Sequence, residues 1–82
     1  MKVYEEFKDE ESYKEVYKYM IELIRKDGFL VQNCNKRGWI SALKYYYKIE
    51  DSNKRKLILE TARIKAEYDY KLEKLNLRFG GN

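Results

Sequence analysis

Apolar side chains recur at intervals of three and four residues along most of this 82-residue chain, as they do in amphipathic helices. Residues 10–26 show this pattern most clearly. Their apolar positions are Tyr13, Val16, Tyr17, Met20 and Ile24. Asp9 precedes the segment as a candidate N-cap, and Gly28 follows it as a candidate left-handed C-terminal stop. The pattern predicts a first helix over residues 10–26.

A second segment, residues 39–49 (WISALKYYYKI), is apolar over most of its girth when it is drawn as a helix. One face holds Trp39, Ile40, Leu43, Tyr46 and Tyr47, and a face beside it holds Ala42, Tyr45 and Ile49. A surface helix normally has one apolar stripe and one polar face. We therefore expect this helix, which follows a polar loop over residues 32–38, to lie between its two neighbours or to contact another molecule.

The last segment, residues 53–76, fits two periods. Residues 62–72 alternate between apolar and charged side chains as a strand would, but helical spacing fits as well. Helix-forming residue types and opposite charges four residues apart, as at Arg63 and Glu67, favour a helix. Asp51, Ser52 or Asn53 is the expected cap of this helix.

These elements predict an all-α fold, a small three-helix domain with a long C-terminal helix that occupies residues 1–82 as one unit. The alternative is an α+β fold in which residues 75–79 pair as a short strand with residues 29–31. The choice between helix and strand for residues 62–79 stays open at this point.

The side chains that most enzymes and metal sites use are scarce. The chain has no histidine and a single cysteine, Cys34, so the commonest general base and the commonest metal ligands are missing. The serines and Thr61 have no evident base partner, and the sequence has no glycine-rich phosphate loop. We expect a protein that is not an enzyme and that needs neither a cofactor nor a metal.

Charge is distributed unevenly along the chain. Residues 1–15 contain six acidic and three basic side chains, whereas residues 36–65 contain nine basic and three acidic ones. Tyrosine, tryptophan and arginine are enriched at binding hot spots, and the chain contains nine tyrosines. The predicted binding residues are Arg37, Trp39, Lys44, Tyr45, Lys48, Ile49, Lys54, Arg55 and Lys56.

Two kinds of partner fit an aromatic and basic surface. The first is a larger protein or ribonucleoprotein that the chain binds stoichiometrically, with a second copy of the chain as a further possible partner. The second is single-stranded RNA or DNA, because lysine and arginine contact phosphates while aromatic rings stack on bases. A helix-turn-helix is not expected, because the loop before the second helix is too long.

Composition also bears on origin and location. Thirteen lysines and nine tyrosines, with no proline, indicate a low-GC genome, and a short chain of this kind is typical of a phage or other mobile element. We therefore expect an inhibitor or regulator of a host defence or nucleic-acid-processing machine. The sequence has neither a signal peptide nor an apolar run of about 20 residues, so a cytoplasmic location without membrane contact is expected.

Overall fold

The computed structural model describes residues 7–28 and 35–76, and these residues are helical with short connections. Helix α1 covers Glu11–Asp27, α2 covers Lys36–Ser41, a π-helical turn covers Ala42–Tyr46, and α3 covers Ser52–Leu75. The all-α prediction is confirmed. The described residues contain no strand, and residues 62–75 are helical. Residues 29–31 and 77–79, which include most of the alternative strand pairing, lie outside the described ranges.

Helices α1 and α3 run in the same direction and pack directly against each other. Lys54 at the start of α3 pairs with Glu10 at the start of α1, with 3.2 Å between Nζ and Oε2. Arg25 near the end of α1 donates to Glu73 near the end of α3, with 3.2 Å between Nε and Oε1. The chain must therefore return to the start of α1 before α3 begins. The second helical segment makes the later part of that return, from Trp39 beside Tyr19 of α1 to Ile49 beside the first turn of α3. Its expected position between helices one and three was wrong.

The core lies where α1, the π-helical turn and α3 meet. Val16 and Ile24 of α1, Leu43 of the turn and Ile58 of α3 are completely buried there. Ala62 and Ala66 are also fully buried. Because their side chains are so small, α1 can approach the backbone of α3 closely. Among residues 7–28 and 35–76, no helix is both long enough and apolar enough to cross a bilayer.

The ends of α1 and α3 agree only in part with the expected caps. Asp51 caps α3 and accepts hydrogen bonds from the backbone N–H groups of Asn53 at 2.9 Å and Lys54 at 3.4 Å. At α1 the N-cap position is occupied by Glu10, which makes no side-chain cap bond, so the assignment of Asp9 as the cap was wrong. Gly28 ends α1 as expected, and its N–H donates to the Ile24 carbonyl at 2.7 Å. With φ +75° and ψ −147° it lies outside the left-handed helical region that was predicted for it.

Helix α2 begins three residues earlier than the sequence suggested. Asn35 adopts the left-handed conformation (φ 55°, ψ 50°) and serves as the N-cap residue of a helix that starts at Lys36. Gly38 lies inside this helix rather than in a loop. A Cβ at Gly38 would stand 2.5 Å from the Asn35 amide, so the missing side chain leaves room for Asn35 to fold over the first turn.

The second segment does not stay α-helical to Ile49. From Ala42 it widens into a π-helical turn, in which the N–H of Tyr47 donates to the Ala42 carbonyl at 3.0 Å. Lys48 then takes a positive φ of 62°, and the N–H of Ile49 returns to the Leu43 carbonyl at 2.9 Å. The helix therefore ends at Tyr46, and the predicted apolar faces are rotated relative to a regular helix.

Candidate binding surface

The widened turn places two tyrosines side by side on the outside of the molecule. Tyr45 is 67% exposed and Tyr46 is 76% exposed, although an aromatic residue in a small protein usually packs into the core. Arg37, Lys44 and Lys48 are exposed on the same segment. We call these five residues, Arg37, Lys44, Tyr45, Tyr46 and Lys48, the tyrosine face.

The tyrosine face is cationic. Residues 36–49 contain four basic side chains and no acidic one. The ammonium group of Lys44 lies 5.3 Å from the centroid of the Tyr45 ring, within the range of a cation–π contact. This contact orders an exposed lysine and an exposed ring together. It also leaves the hydroxyl and the opposite ring face of Tyr45 directed away from Lys44.

Trp39 packs against α1, so its ring is not freely available to a partner. Its ring is half-buried and meets the Tyr19 ring edge-on, with 5.6 Å between centroids and 61° between planes. Tyr47 is also half-buried and meets Tyr46 at 4.9 Å and 88°. Partial burial raises the pKa of the Tyr47 hydroxyl, with a smaller contribution from Glu15. These contacts fix the direction in which Tyr46 leaves the turn.

Ile49 and Lys54 lie beside the tyrosine face but in different surroundings. Ile49 is half-buried and packs against the core, so only part of its side chain is available to a partner. Lys54 is already paired with Glu10. An open cleft of about 490 Å³ separates the starts of α1 and α3, and acidic residues line much of it. Its lining includes Glu10, Glu11, Lys48, Ile49, Glu50, Asp51 and Lys54.

Arg55 has a structural position rather than a surface one, which corrects its assignment as a binding residue. It is 9% exposed, and its guanidinium Nη1 donates to the Ile49 carbonyl at 2.7 Å and to the Glu50 carbonyl at 2.9 Å. These bonds tie the end of the π-helical segment to the first turn of α3. Arg55 precedes the apolar residues Ile58 and Leu59 by three and four positions. This spacing was the one sequence pattern that indicated that Arg55 lies on the core side of α3.

Lys56 lies on a third surface. It is exposed and borders a groove of about 350 Å³ between α2 and α3, together with Lys36, Ile40, Leu59 and Glu60. The nine predicted residues therefore do not form one patch. Arg37, Lys44, Tyr45 and Lys48 belong to the tyrosine face, Lys54 faces an acidic cleft, and Lys56 belongs to the groove. The sequence did not single out Tyr46, because a regular helix would turn it inward.

A polar network joins α1 to α3 on another side. The Tyr17 hydroxyl donates to Asp69 at 2.6 Å, and Lys65 donates to the same carboxylate at 2.8 Å. Burial, and then the bond to Asp69, raise the pKa of Tyr17 well above its usual value. Burial alone would raise the pKa of Asp69, but the bonds from Lys65 and Tyr17 outweigh it and hold that pKa below its usual value.

Two further carboxylates are held ionised by arginines. The hydrogen bond from Arg63 lowers the pKa of Glu60 against partial burial. The hydrogen bond from Arg25 lowers the pKa of Glu73 in the same way. Each of these side chains has a hydrogen-bond partner on the same helix or on the facing one, and these bonds explain the pKa shifts without a catalytic role. Within residues 7–28 and 35–76, no three His, Cys, Asp or Glu side chains are grouped so as to hold a metal ion.

Comparison of the chain with models of protein families, with curated proteins and with solved structures finds no match.

Proposed function

We propose that this chain is a small non-enzymatic protein that binds a larger macromolecular partner stoichiometrically through the tyrosine face. The observation that carries the proposal is the pair of exposed rings at Tyr45 and Tyr46 on a π-helical turn. Such turns are rare and are frequent at functional sites, because the helix gives up regular bonding to redirect side chains. Here the redirected side chains are tyrosines, which are favoured at binding hot spots.

The charge around the rings favours an acidic protein surface as the partner. Lys44 and Lys48 flank the two tyrosines, and the segment contributes no acidic side chain of its own. Complementary charge speeds the encounter and fixes the orientation, while the rings supply the buried contact. In keeping with the composition, we propose a mobile-element origin and an inhibitory or regulatory effect on a host defence or nucleic-acid-processing machine.

Single-stranded RNA or DNA is the second candidate, supported by the contact between Lys44 and the Tyr45 ring. Stacked bases and neutralised phosphates would use the same residues. The acidic cleft that begins at Lys48 argues against it, because Glu50 and Asp51 would repel a phosphate chain that continued past the rings. A protein partner can contact the rings without extending as far as Glu50 and Asp51.

The deciding experiment compares capture by three immobilised proteins from a lysate of a low-GC bacterium. These are the unmodified chain, a Tyr45→Ala and Tyr46→Ala double variant, and a Tyr68→Ala control that removes another exposed ring, 58% exposed, from α3. We expect one host protein to be retained in a fixed ratio by the first and the third, and to be lost from the double variant. Equal capture by all three would refute the tyrosine face as the binding surface.

The nucleic-acid alternative is measured directly. Fluorescence anisotropy of a labelled single strand and a labelled duplex, each at low and high salt, reports binding and its salt slope. Our proposal expects no binding at low salt. The nucleic-acid alternative would replace the protein partner if the chain binds a single strand tightly, if that binding weakens steeply with salt, and if Tyr45→Ala reduces it.

A further inference from the structure

Helix α3 carries a second apolar surface that the rest of the described molecule does not cover. Five large apolar side chains on it are 42–58% exposed. They are Leu57, Ile64, Tyr68, Leu72 and Leu75. At roughly 100° per residue they lie within about 80° of arc. The buried residues Ile58, Ala62 and Ala66 lie on an adjoining face of the helix. We call the five exposed residues the α3 seam.

The spacing of the seam is that of a helix-pairing surface. Positions 57, 61, 64, 68, 71 and 75 follow alternating steps of four and three residues, and four of these six positions hold large apolar side chains: Leu57, Ile64, Tyr68 and Leu75. This is the repeat by which one helix packs along another. Thr61 interrupts the exposed surface, because it is only 7% exposed in the single chain. Its hydroxyl already donates to the Leu57 carbonyl at 2.6 Å, so it needs no polar partner from a second copy.

We propose that the α3 seam is the contact between two copies of this chain, whose α3 helices pair in antiparallel orientation about a two-fold axis. The size of the seam is consistent with such a pair. Five half-exposed side chains leave on the order of 400–500 Å² of apolar surface per copy, similar to the largest patch on a typical monomer. Two copies would bury about 1,000 Å², which is the size of a weak, concentration-dependent interface.

Charge and shape select the antiparallel orientation. In that orientation Leu57 meets the partner's Leu75, Ile64 meets the partner's Tyr68, and the pairs repeat across the axis. Glu60 at the edge of the seam then stands across from the partner's Lys74, so opposite charges meet twice. A parallel pair would instead place Lys71 against the partner's Lys71 in the seam itself, and like charges at such positions are unfavourable.

Charge along α3 points the same way. Its first half, residues 52–63, has four basic and one acidic side chain, whereas residues 64–75 have three of each. Antiparallel pairing brings each basic half beside a neutral half. Parallel pairing would bring the two basic halves together.

Across the same two-fold axis Glu67 stands near the partner's Glu67 and Lys65 near the partner's Lys65, so charge alone does not select the orientation. The antiparallel pair is favoured because each Lys71 then meets the partner's Thr61 and not a second Lys71. A second copy is the occupant we commit to because the two seams together bury about 1,000 Å² of apolar surface.

Sedimentation equilibrium of the full chain tests the proposal. We expect a reversible dimer with a dissociation constant on the order of 100 µM. Ile64→Lys should weaken the dimer by about tenfold or more, because it places an unpaired charge in the centre of the contact. Leu57→Lys is a second seam variant at the edge. Tyr45→Lys, which adds the same charge at an equally exposed ring outside the seam, should leave the dimer unchanged, and circular dichroism checks that each variant is folded.

Two outcomes would overturn the dimer. The first is an unmodified chain that stays monomeric up to about 1 mM, well above the concentration at which such an interface should form. The second is a dimer that survives both seam variants while they remain folded. Because the readout is self-association and not partner capture, either failure leaves the proposed function of the tyrosine face unaffected.

Cysteine cross-linking tests the orientation. The variants are made in a Cys34→Ser background. In an antiparallel pair, position 57 of one chain lies about 27 Å from position 57 of the other chain but next to its position 75. We expect no disulfide from Leu57→Cys alone in a glutathione buffer, and a heterodimeric disulfide when it is mixed with Leu75→Cys. A self-disulfide of Leu57→Cys would overturn the antiparallel arrangement.

Discussion

Replacing Arg55 with methionine tests whether this buried cation supports the fold instead of contacting a partner. The change keeps an unbranched side chain in the core but removes the hydrogen bonds of 2.7 and 2.9 Å to the Ile49 and Glu50 carbonyls. Those carbonyls belong to the connection between the π-helical turn and α3. Without Arg55, the connection between α3 and the turn that presents Tyr45 and Tyr46 loses two hydrogen bonds, although Leu43 of that turn still packs in the shared core.

The magnitude follows from two opposing effects. A hydrogen bond to a charged group contributes about 1.5–3 kcal/mol, so two bonds give about 3–6 kcal/mol. Methionine avoids the desolvation of a buried guanidinium, which costs several kcal/mol in real proteins. The Arg55 Nε has no hydrogen-bond partner among the described residues, which adds to that cost. We expect a net loss of about 2 kcal/mol in the free energy of unfolding, or about 8–16 °C in Tm for a domain of this size.

Thermal and urea unfolding followed by circular dichroism measure this loss. Lys56→Met is the matched control, because it makes the same substitution at the next residue, which is exposed, and should change stability by less than about 0.5 kcal/mol. The reasoning is refuted if Arg55→Met is as stable as the unmodified protein, since the two carbonyl bonds would then contribute nothing. A variant that keeps its stability but loses partner capture would restore Arg55 to the binding surface.

Three other outcomes follow from the packing. Leu43→Ala should lower the free energy of unfolding by about 2–5 kcal/mol because Leu43 is completely buried, whereas Tyr46→Ala should change it by less than about 0.5 kcal/mol; urea titration compares them. Tyr17→Phe removes the 2.6 Å bond to the Asp69 carboxylate and should cost about 1.5–3 kcal/mol in the same assay, because the acceptor is charged. The pKa of Asp69 in the folded protein is below its usual value of 3.8. Its contribution to the free energy of unfolding is therefore complete above pH 3.8 and is lost as the pH falls through the lower folded pKa. Asp69→Asn should remove this loss from a profile of Tm measured between about pH 7 and pH 2.

Periodicity and caps were sufficient to predict the helical fold. The spacing of Val16, Met20 and Ile24 gave α1, and the side chain of Asp51 gave the start of α3 to within a residue. Ion pairs four residues apart in α3, such as Arg63 with Glu67 at 3.1 Å, favoured helix over the competing strand pattern. The sequence left that choice open, and the structure shows helix for residues 62–75. These signals are local, so they could be read without knowing how the helices pack.

The candidate surface was less predictable because it depends on departures from regular helix. The π-helical turn adds a residue to one turn, and this turns Tyr46 outward although the regular wheel placed it with Leu43. Gly38 looked like a loop residue because no local signal shows that Asn35 folds over it. The spacing of Arg55 from Ile58 and Leu59 indicated the core side of α3, but the bonds that it donates to the Ile49 and Glu50 carbonyls depend on the irregular turn before α3 and could not be predicted.

The excess apolar surface that the sequence indicated in the middle helix is present at the tyrosine face, where Tyr45 and Tyr46 are exposed. The α3 seam is a second exposed apolar surface, which belongs to the last helix and which was not predicted from the sequence; it lies on a different side of α3 from the Lys56 groove. Because the two surfaces are separate, a variant in one should not affect binding through the other. We therefore expect Ile64→Lys to lower self-association without lowering partner capture per chain, and Tyr45→Ala with Tyr46→Ala to do the reverse. Loss of partner capture in a folded, monomeric Ile64→Lys variant would show that the partner requires two copies, and the two surfaces would then have to act together.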